Sequence, residues 1–398
     1  GAGRYLGLWN EPLHGELTAH VLDAKGAILE NQVVLRDVAA PLEGWPYVTW
    51  NGCSYLAAWR EVIPDRLGVI DFNGEFVGPD AQYSMNGTLV APLGSAPQNS
   101  PLVFNRQRWE YARYGRMLTV SSASGSLLVW TQHIQGSPIY AQRVARNGEI
   151  LDANPVQLTT ANVTEFAAAS LGTDYLIPYG DFSAESAFDV SALLVRAGGD
   201  VTPLTITKSM GSQLRPAIAS NASGYFAVWY DLRAGSEIWG VPLNEAGSPA
   251  GPEVRIGAAA SFWHEPRIAS DGDGYLVAWT NPAEQAVLVK IDARGNTSNT
   301  PVALSENDQV NTVLFDGSVF IVRGQQTRLV SRAGALLPNP PAIEQLSELY
   351  PLASDGRGHT LFGTVRQDTA TGKIARRIWA RMLTAPHASS PAVCGDSP

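Results

Sequence analysis

Short apolar segments separated by turn residues recur along the chain with a period of about 40 to 50 residues. The clearest copy begins at Glu265-Pro-Arg-Ile-Ala-Ser, passes the turn Asp271-Gly-Asp-Gly and continues as Tyr275-Leu-Val-Ala-Trp. A third segment, Val287-Leu-Val-Lys-Ile-Asp, and a fourth, Pro301-Val-Ala-Leu, complete this unit. Four apolar segments joined by Gly-containing turns predict four antiparallel strands, which we name a, b, c and d.

A repeated four-stranded unit of this length is typical of a β-propeller blade, and an all-β propeller is the fold class that we predict. The units begin near Trp45, Met117, Phe166, Arg215, Glu265, Asn311 and Tyr350. The N-terminal residues 1–9 match the a–b turn and strand b, whereas residues 385–398 match strand a. We therefore expect a latch, in which 385–398 complete the N-terminal blade of a single domain spanning 1–398. Seven whole units and this shared unit give about eight blades, with seven as the alternative.

The composition supports many short strands and argues against nucleic acid and membranes as partners. Of the 398 residues 45% are hydrophobic and only 16% are charged, which disfavours long surface helices. The net charge of −9 argues against binding to nucleic acid, and no apolar run reaches the length of a membrane span. No HExxH or other metal-ligand spacing is present, so we predict neither a metal nor a cofactor.

The two cysteines, Cys53 and Cys394, lie just after strand a of the first whole unit and in the expected latch strand. These blades are neighbours in the predicted ring, so a disulfide between the two cysteines is favoured over two free thiols. A disulfide implies a secreted or cell-surface protein.

The repeat resembles a known one. Tyr225-Phe-Ala-Val-Trp-Tyr-Asp-Leu-Arg followed by Ile238-Trp-Gly-Val-Pro-Leu is similar to the repeat of predicted secreted propeller-like proteins of myxobacteria and related bacteria. The resemblance covers most of the chain and is weakest at 311–345 and 350–384. It implies a secreted bacterial propeller and no particular activity.

Charged residues recur at the start of strand a, on the face where the d–a and b–c connections of a propeller lie and where ligands usually bind. The residues at this position are Trp45, Arg116, Glu165, Arg215, Glu265, Gln309, Tyr350 and Ser390. The alternation of Arg and Glu over four units fits a polar ring that grips a ligand, and it equally fits ion pairs between blades. Both interpretations stay open at the level of sequence.

The end of strand b carries an aromatic residue and, soon after it, a polar one. The aromatic residues are Trp9, Trp59, Trp130, Tyr179, Trp229 and Trp279, and six copies at one position predict packing between blades. Asp181 and Asp231, together with Glu165 and Glu265, are the candidates for a catalytic carboxylate pair. His264 is a weak candidate for a catalytic base, while charged surface loops are the simpler explanation for all of them.

One segment departs from the repeat, an additional stretch at about 84–116 that we expect to be inserted in a d–a connection. It ends in arginines interleaved with aromatic residues, namely Arg106, Arg108, Trp109, Tyr111, Arg113, Tyr114 and Arg116. Arginine binds carboxylate, sulfate or phosphate with two parallel hydrogen bonds, and aromatic rings stack on sugars. With Arg215, this set is the leading candidate ligand site, and an extra strand packed on the disc is the alternative.

These features together predict an extracellular, non-catalytic binding propeller whose ligand is a glycan, with anionic glycans included. A polysaccharide lyase or glycoside hydrolase acting on the same face is the second hypothesis. A protein-interaction module is the third.

Overall fold

The structure is a computed structural model, and every element among its described residues is a β-strand. It describes residues 5–11, 16–22, 33–36, 47–51, 55–63, 69–70, 76–77, 82–90, 102–108, 115–132, 137–163, 165–183, 187–261, 264–297, 300–306, 310–324, 326–338, 349–354, 359–368 and 375–384. Contacts divide the chain into two compact units. Unit 1 comprises Gly1–Gln135, Ile139–Gln157 and Glu348–Pro398, and unit 2 comprises Gly136–Pro138 and Leu158–Ser347.

Four sheets and a small hairpin lie in unit 1. The first sheet contains β1 (Tyr5–Glu11), β2 (Glu16–Leu22) and β3 (Val33–Arg36). The second contains β4 (Tyr47–Trp50), β5 (Tyr55–Ile63), β8 (Gln82–Val90) and β9 (Leu102–Arg108), with β6 (Val69–Ile70) and β7 (Phe76–Val77) forming the separate hairpin. The third contains β10 (Met117–Ser122), β11 (Gly125–Thr131), β12 (Ile139–Ala145) and β13 (Val156–Gln157). The last contains β30 (Leu349–Ser354), β31 (His359–Asp368) and β32 (Ala375–Thr384).

Four sheets of four strands each lie in unit 2. The first two contain β14 (Ala169–Leu171), β15 (Asp174–Ser183), β16 (Ala187–Val195) and β17 (Val201–Thr207), then β18 (Gln213–Ser220), β19 (Tyr225–Asp231), β20 (Glu237–Leu243) and β21 (Val254–Ala258). The next two contain β22 (Arg267–Ser270), β23 (Gly274–Thr280), β24 (Gln285–Asp292) and β25 (Val302–Glu306), then β26 (Thr312–Phe315), β27 (Phe320–Arg323), β28 (Thr327–Val330) and β29 (Leu336–Leu337). Each sheet is an antiparallel meander in chain order, and the predicted fold class, a propeller of repeated four-stranded blades, is confirmed.

The c–d turn has the same geometry in five blades. The residue that opens the turn donates its N–H to the carbonyl oxygen four residues later at 2.8–2.9 Å. A glycine with φ between 76° and 99° occupies the fourth position of the turn, where a side chain would be strained. These glycines are Gly148, Gly199, Gly247, Gly295 and Gly334. The repeated glycine turns in the sequence therefore have a conformational cause.

The aromatic residue near the end of strand b packs between consecutive blades. Trp59 and Trp130 are buried in unit 1, and Tyr179, Trp229 and Trp279 are buried in unit 2. One apolar cluster of unit 2 joins strands β14–β17 to β18–β21, and the next joins β18–β21 to β22–β25. Trp130, Trp229 and Trp279 belong to clusters that span two blades, which confirms the predicted packing for these three, and Trp59 and Tyr179 are buried. The side chain of Trp9 lies outside the described residues.

The additional segment lies elsewhere than the sequence suggested. β8 (Gln82–Val90) pairs with β5, and β9 (Leu102–Arg108) pairs with β8, so these strands are strands c and d of the second blade in a stretch predicted to be an inserted connection at about 84–116. The extra residues are instead those between β5 and β8, which include the hairpin of β6 and β7. Strand β8 lacks the long apolar run of other blades, and this hid it in the sequence.

The first and last sheets are neighbours within unit 1, because β1 lies against β31 and β32. A blade shared between the two termini requires this proximity. The first sheet has three strands, and the expected latch strand at 385–398 lies outside the described residues. The latch therefore stays a prediction.

A buried ion pair ties the a–b turn of one blade to its strand c. Asp271 accepts the backbone N–H groups of Asp273 and Gly274 at 3.2 and 2.8 Å, and it accepts a 2.5 Å hydrogen bond from Lys290. The ammonium of Lys290 also lies 4.9 Å from the ring centre of Phe320 in the next blade. Burial alone raises the pKa of Asp271, but the Lys290 and backbone hydrogen bonds outweigh it, so its pKa is lowered. Asp271 thus stabilises the a–b turn of its blade.

Replacing Asp271 by alanine leaves the buried Lys290 without its carboxylate, and we expect a loss of about 3–5 kcal/mol in the free energy of unfolding. Asp273→Ala is the matched control in the same turn, because its exposed carboxylate meets Arg332 only at 3.7 Å; it should cost less than about 1 kcal/mol. Urea denaturation measures both. The pKa of Asp271 is lower in the folded than in the unfolded protein, so its ion pair stabilises the fold at pH values above the unfolded-state pKa. The wild type should lose this stabilisation as the pH falls through the folded-state pKa of Asp271. Equal losses for the two variants would contradict the assignment.

Candidate functional site

The b–c and d–a connections of each blade emerge at the same end, because successive strands run in opposite directions. In unit 2 we call this end the loop face. Its described residues are 158–163, 165–168, 208–212, 259–261 and 264–266, which precede strand a, and 232–236 and 281–284, which join strands b and c. The sequence-predicted residues Glu165, Arg215, Asp231, His264 and Glu265 all lie at this face.

Four charged residues from three successive blades form one chain of ion pairs, the ion-pair ladder. Arg215 lies 2.9 Å from a carboxylate oxygen of Glu165 and 3.4 Å from one of Glu265. Glu265 also binds Arg267 through its second carboxylate oxygen. Each of the four side chains is partly exposed at the loop face. Ion pairing between blades, one of the two interpretations of the Arg and Glu alternation, is therefore present in unit 2.

The backbone of Arg215 is strained. Its φ is +53°, in the left-handed region that non-glycine residues seldom adopt. The register of β18 shifts between Leu214 and Ala217, so that a bulge interrupts the strand at this point. The bulge places the guanidinium between two glutamates, and the ion pairs offset a conformational cost of about 1–2 kcal/mol.

Asp231 is saturated with hydrogen bonds and has no exposed surface. It accepts from the indole N–H of Trp229 at 2.8 Å and from the backbone N, Nε and Nη2 of Arg233 at 2.7–2.9 Å. Arg233 continues to Glu253 at 2.6 Å and stacks 4.2 Å above the ring of Trp239. Burial disfavours the charged guanidinium, yet these carboxylates outweigh it and raise the pKa of Arg233. Asp231 thus holds the b–c connection in place through Arg233.

Asp181 lies on β15, near the end of strand b. It lies opposite Asp189 in the pairing of β15 with β16, and it accepts a weak 3.4 Å hydrogen bond from Ser191. Nearby Tyr179 has a raised pKa, because its phenol is buried and the charge of Asp181 disfavours the phenolate. Asp181 and Asp231 lie on strand b of successive blades, β15 and β19.

His264 lies beside Glu284, with 3.5 Å between its Nε2 and a carboxylate oxygen. Glu284 stands in the b–c connection 281–284 and has φ of +55°, a second strained position at the loop face. A carboxylate within this distance of an imidazole can orient the ring. Glu284 was missed by sequence analysis because a single glutamate in a turn is unremarkable in a chain of this kind.

The arginine-rich segment is only partly described. Arg106 and Arg108 lie on β9, where they pair in register with Ser84 and Gln82 of β8. The backbone of Arg116 exchanges hydrogen bonds with Thr131 across the start of its blade. The other four members of the set, and both cysteines of the predicted disulfide, lie outside the described residues: Trp109, Tyr111, Arg113, Tyr114, Cys53 and Cys394.

In the ranges given above, no three His, Cys, Asp or Glu side chains come together in a group suited to hold a metal ion. No helix among those residues is long and apolar enough to cross a membrane.

Comparison with known proteins adds a distant structural likeness. No protein-family model and no curated protein matches the chain. Among solved structures, a cobalt-substituted apocarotenoid oxygenase of Synechocystis is 12% identical over 75% of this chain and 71% of its own, with a TM-score of 0.37. TolB from Acinetobacter baumannii is 12% identical over 77% of this chain and 65% of its own, with a TM-score of 0.38. At these TM-scores the likeness carries no conclusion about function.

The strain at Arg215 predicts that glycine will be more stable than alanine at this position, the reverse of the usual order. Arg215→Ala and Arg215→Gly both remove the guanidinium, but glycine adopts φ of +53° freely, so Arg215→Gly should be about 1 kcal/mol more stable than Arg215→Ala. At Arg196, which follows β16 without a positive φ, alanine should be the more stable of the two. Chemical denaturation of the four variants measures the ranking, and the same order at both sites would refute the strained bulge.

Proposed function

We propose that this chain is an extracellular, non-catalytic propeller that binds a glycan on the loop face, with the ion-pair ladder as its centre. The observation that carries the proposal is the alternation of carboxylates and guanidinium groups at partly exposed positions. Carboxylates accept and guanidiniums only donate, so the ladder offers both partners to sugar hydroxyls, which do both. The extracellular location rests on the expected bridge between Cys53 and Cys394.

The charge of the ladder favours neutral sugars over anionic ones at this position. Glu165 and Glu265 flank Arg215, and with Arg267 the ladder contains two acidic and two basic groups. A uronate or sulfate approaching Arg215 would displace a glutamate and then face its charge. The arginines of 106–116 remain the alternative place for an anionic glycan.

A non-catalytic role is favoured by the state of the carboxylates. Asp231 already accepts four hydrogen bonds, and Glu165 and Glu265 are both paired with arginine. A glycosidase needs one carboxyl group free to donate a proton and a second free to attack or to activate water. Holding these groups in ion pairs suits recognition better than proton transfer.

The test is binding to an array of neutral, uronic and sulfated glycans by the wild type, Arg215→Ala and Arg196→Ala. Removing Arg215 deletes charge-assisted hydrogen bonds, so its binding should weaken about tenfold or more. Arg196 is the matched control, because it pairs with Asp174 at 2.6 Å at the opposite end of its blade, and its loss should change binding less than twofold. If the wild type binds no glycan on the array, or if all three proteins bind equally, the proposal is wrong.

A polysaccharide lyase is the second candidate, and the contact of His264 with Glu284 is the observation that favours it. An imidazole oriented by a carboxylate can remove a proton next to a uronate. If this function holds, polyuronates incubated with the protein will give unsaturated products, and His264→Ala will abolish them while leaving binding intact. Unchanged polyuronates after prolonged incubation would remove this candidate.

A further inference from the structure

Exposed apolar side chains gather at the loop face. Among the described residues of unit 2, four large hydrophobic side chains are substantially exposed, and three of them lie at this end: Phe182 at 60%, Met210 at 89% and Leu232 at 40%. The fourth, Leu336 at 43%, lies on the outermost strand of another blade. Clustered apolar exposure marks a surface that another molecule covers. We call Phe182, Met210 and Leu232 the apolar patch.

The backbone holds two members of the patch together. The N–H of Leu232 donates to the carbonyl of Ser212 at 2.9 Å, which joins the b–c connection of one blade to the d–a connection that precedes it. Gly211 has φ of +88°, and a side chain there would lie about 3.1 Å from backbone atoms of Leu232 and Arg233. Only glycine permits this approach, so Met210 and Leu232 occupy adjacent, fixed positions.

Phe182 lies on β15, next to the last residue of strand b in the preceding blade. It pairs in register with Phe188, and their rings meet edge to face with centres 5.1 Å apart, which fixes the exposed ring. The same strand, β16, pairs through Val190 with Thr207, three residues before Met210. The three side chains therefore belong to one end of two consecutive blades.

The apolar patch lies close to the ion-pair ladder along the chain. Met210 and Arg215 are five residues apart on one connection, a span of at most about 18 Å. A few linked sugar rings cover that length. A ligand held by the ladder thus has an apolar surface within its reach.

We propose that the apolar patch is the surface on which the bound glycan lays the C–H face of its rings, and that the ligand is a neutral polysaccharide of equatorially substituted pyranoses. This inference rests on the proposed glycan function. In such sugars the hydroxyls point outward around the ring, so the axial C–H bonds form apolar faces. The hydroxyl groups at the edges of the rings bind the ladder, and the apolar faces of the rings cover Phe182 and Leu232. Neither contact requires a charge on the ligand.

The experiment is isothermal titration of the full chain with cellohexaose, chitohexaose and hexagalacturonate. Phe182→Ala and Leu232→Ala should each weaken binding of a neutral hexamer by about fivefold to tenfold, because each removes apolar contact with a ring. Leu336→Ala is the matched control of similar exposure and should bind as the wild type does. Gly211→Ala should weaken binding as well, because it pushes the two connections apart. Thermal unfolding of every variant shows that the fold is intact.

The outcomes separate this inference from the proposed function. Neutral hexamers that bind, need Arg215 and ignore both Phe182 and Leu232 would overturn the apolar patch and keep the ladder. Preferential binding of hexagalacturonate would overturn the neutral class and keep a glycan function. No binding of any hexamer, with a protein partner captured through Phe182 and Leu232, would overturn both.

Discussion

A blade cannot bury its own faces. Its four strands form a thin sheet that is apolar on both sides, and only the blades on either side can cover it. Strand b, which lies inside the sheet, shows the consequence most clearly, since every residue of β11, β19 and β23 is buried. With strands b and c committed to packing, variation in chemistry is confined to the connections and to the ends of strand a.

The charged groups in unit 2 follow from that constraint. Where a charge does enter the sheet, as Lys290 does, it has a carboxylate within hydrogen-bond reach and an aromatic ring of the next blade beside it. Where charges lie at the ends of strands, they bridge blades, as Arg215 does. In both cases an ionic contact stands where the apolar layer between two sheets ends. The loop face is therefore polar by necessity, and Phe182, Met210 and Leu232 are notable there because they break the rule.

The fold was largely predictable because its signals are local. Glycine turns after strand c, Asp-Gly turns after strand a and an aromatic residue near the end of strand b each report one conformational or packing requirement. In the second blade these signals were misleading. Strand β8 is polar along much of its length, and the hairpin of β6 and β7 lies between strands b and c, so the sequence predicted an insertion in place of strands β8 and β9. The partners of Arg215 and Asp231 were beyond sequence reasoning, since they depend on which blades meet and on a bulge of one residue. Glu284 and the patch around Gly211 carry no motif, so only the approach of two connections revealed them.

The ladder also bears on how such a chain grows by duplication. Glu165, Arg215 and Glu265 occupy equivalent places in successive repeats, so the sign of the charge alternates from blade to blade. Loss of the single repeat that carries Arg215 would bring Glu165 next to Glu265 and leave two like charges facing each other. Gain or loss of two repeats at once would preserve the alternation. Over these three blades the charge pattern therefore repeats every two blades, although the unit of folding is one blade.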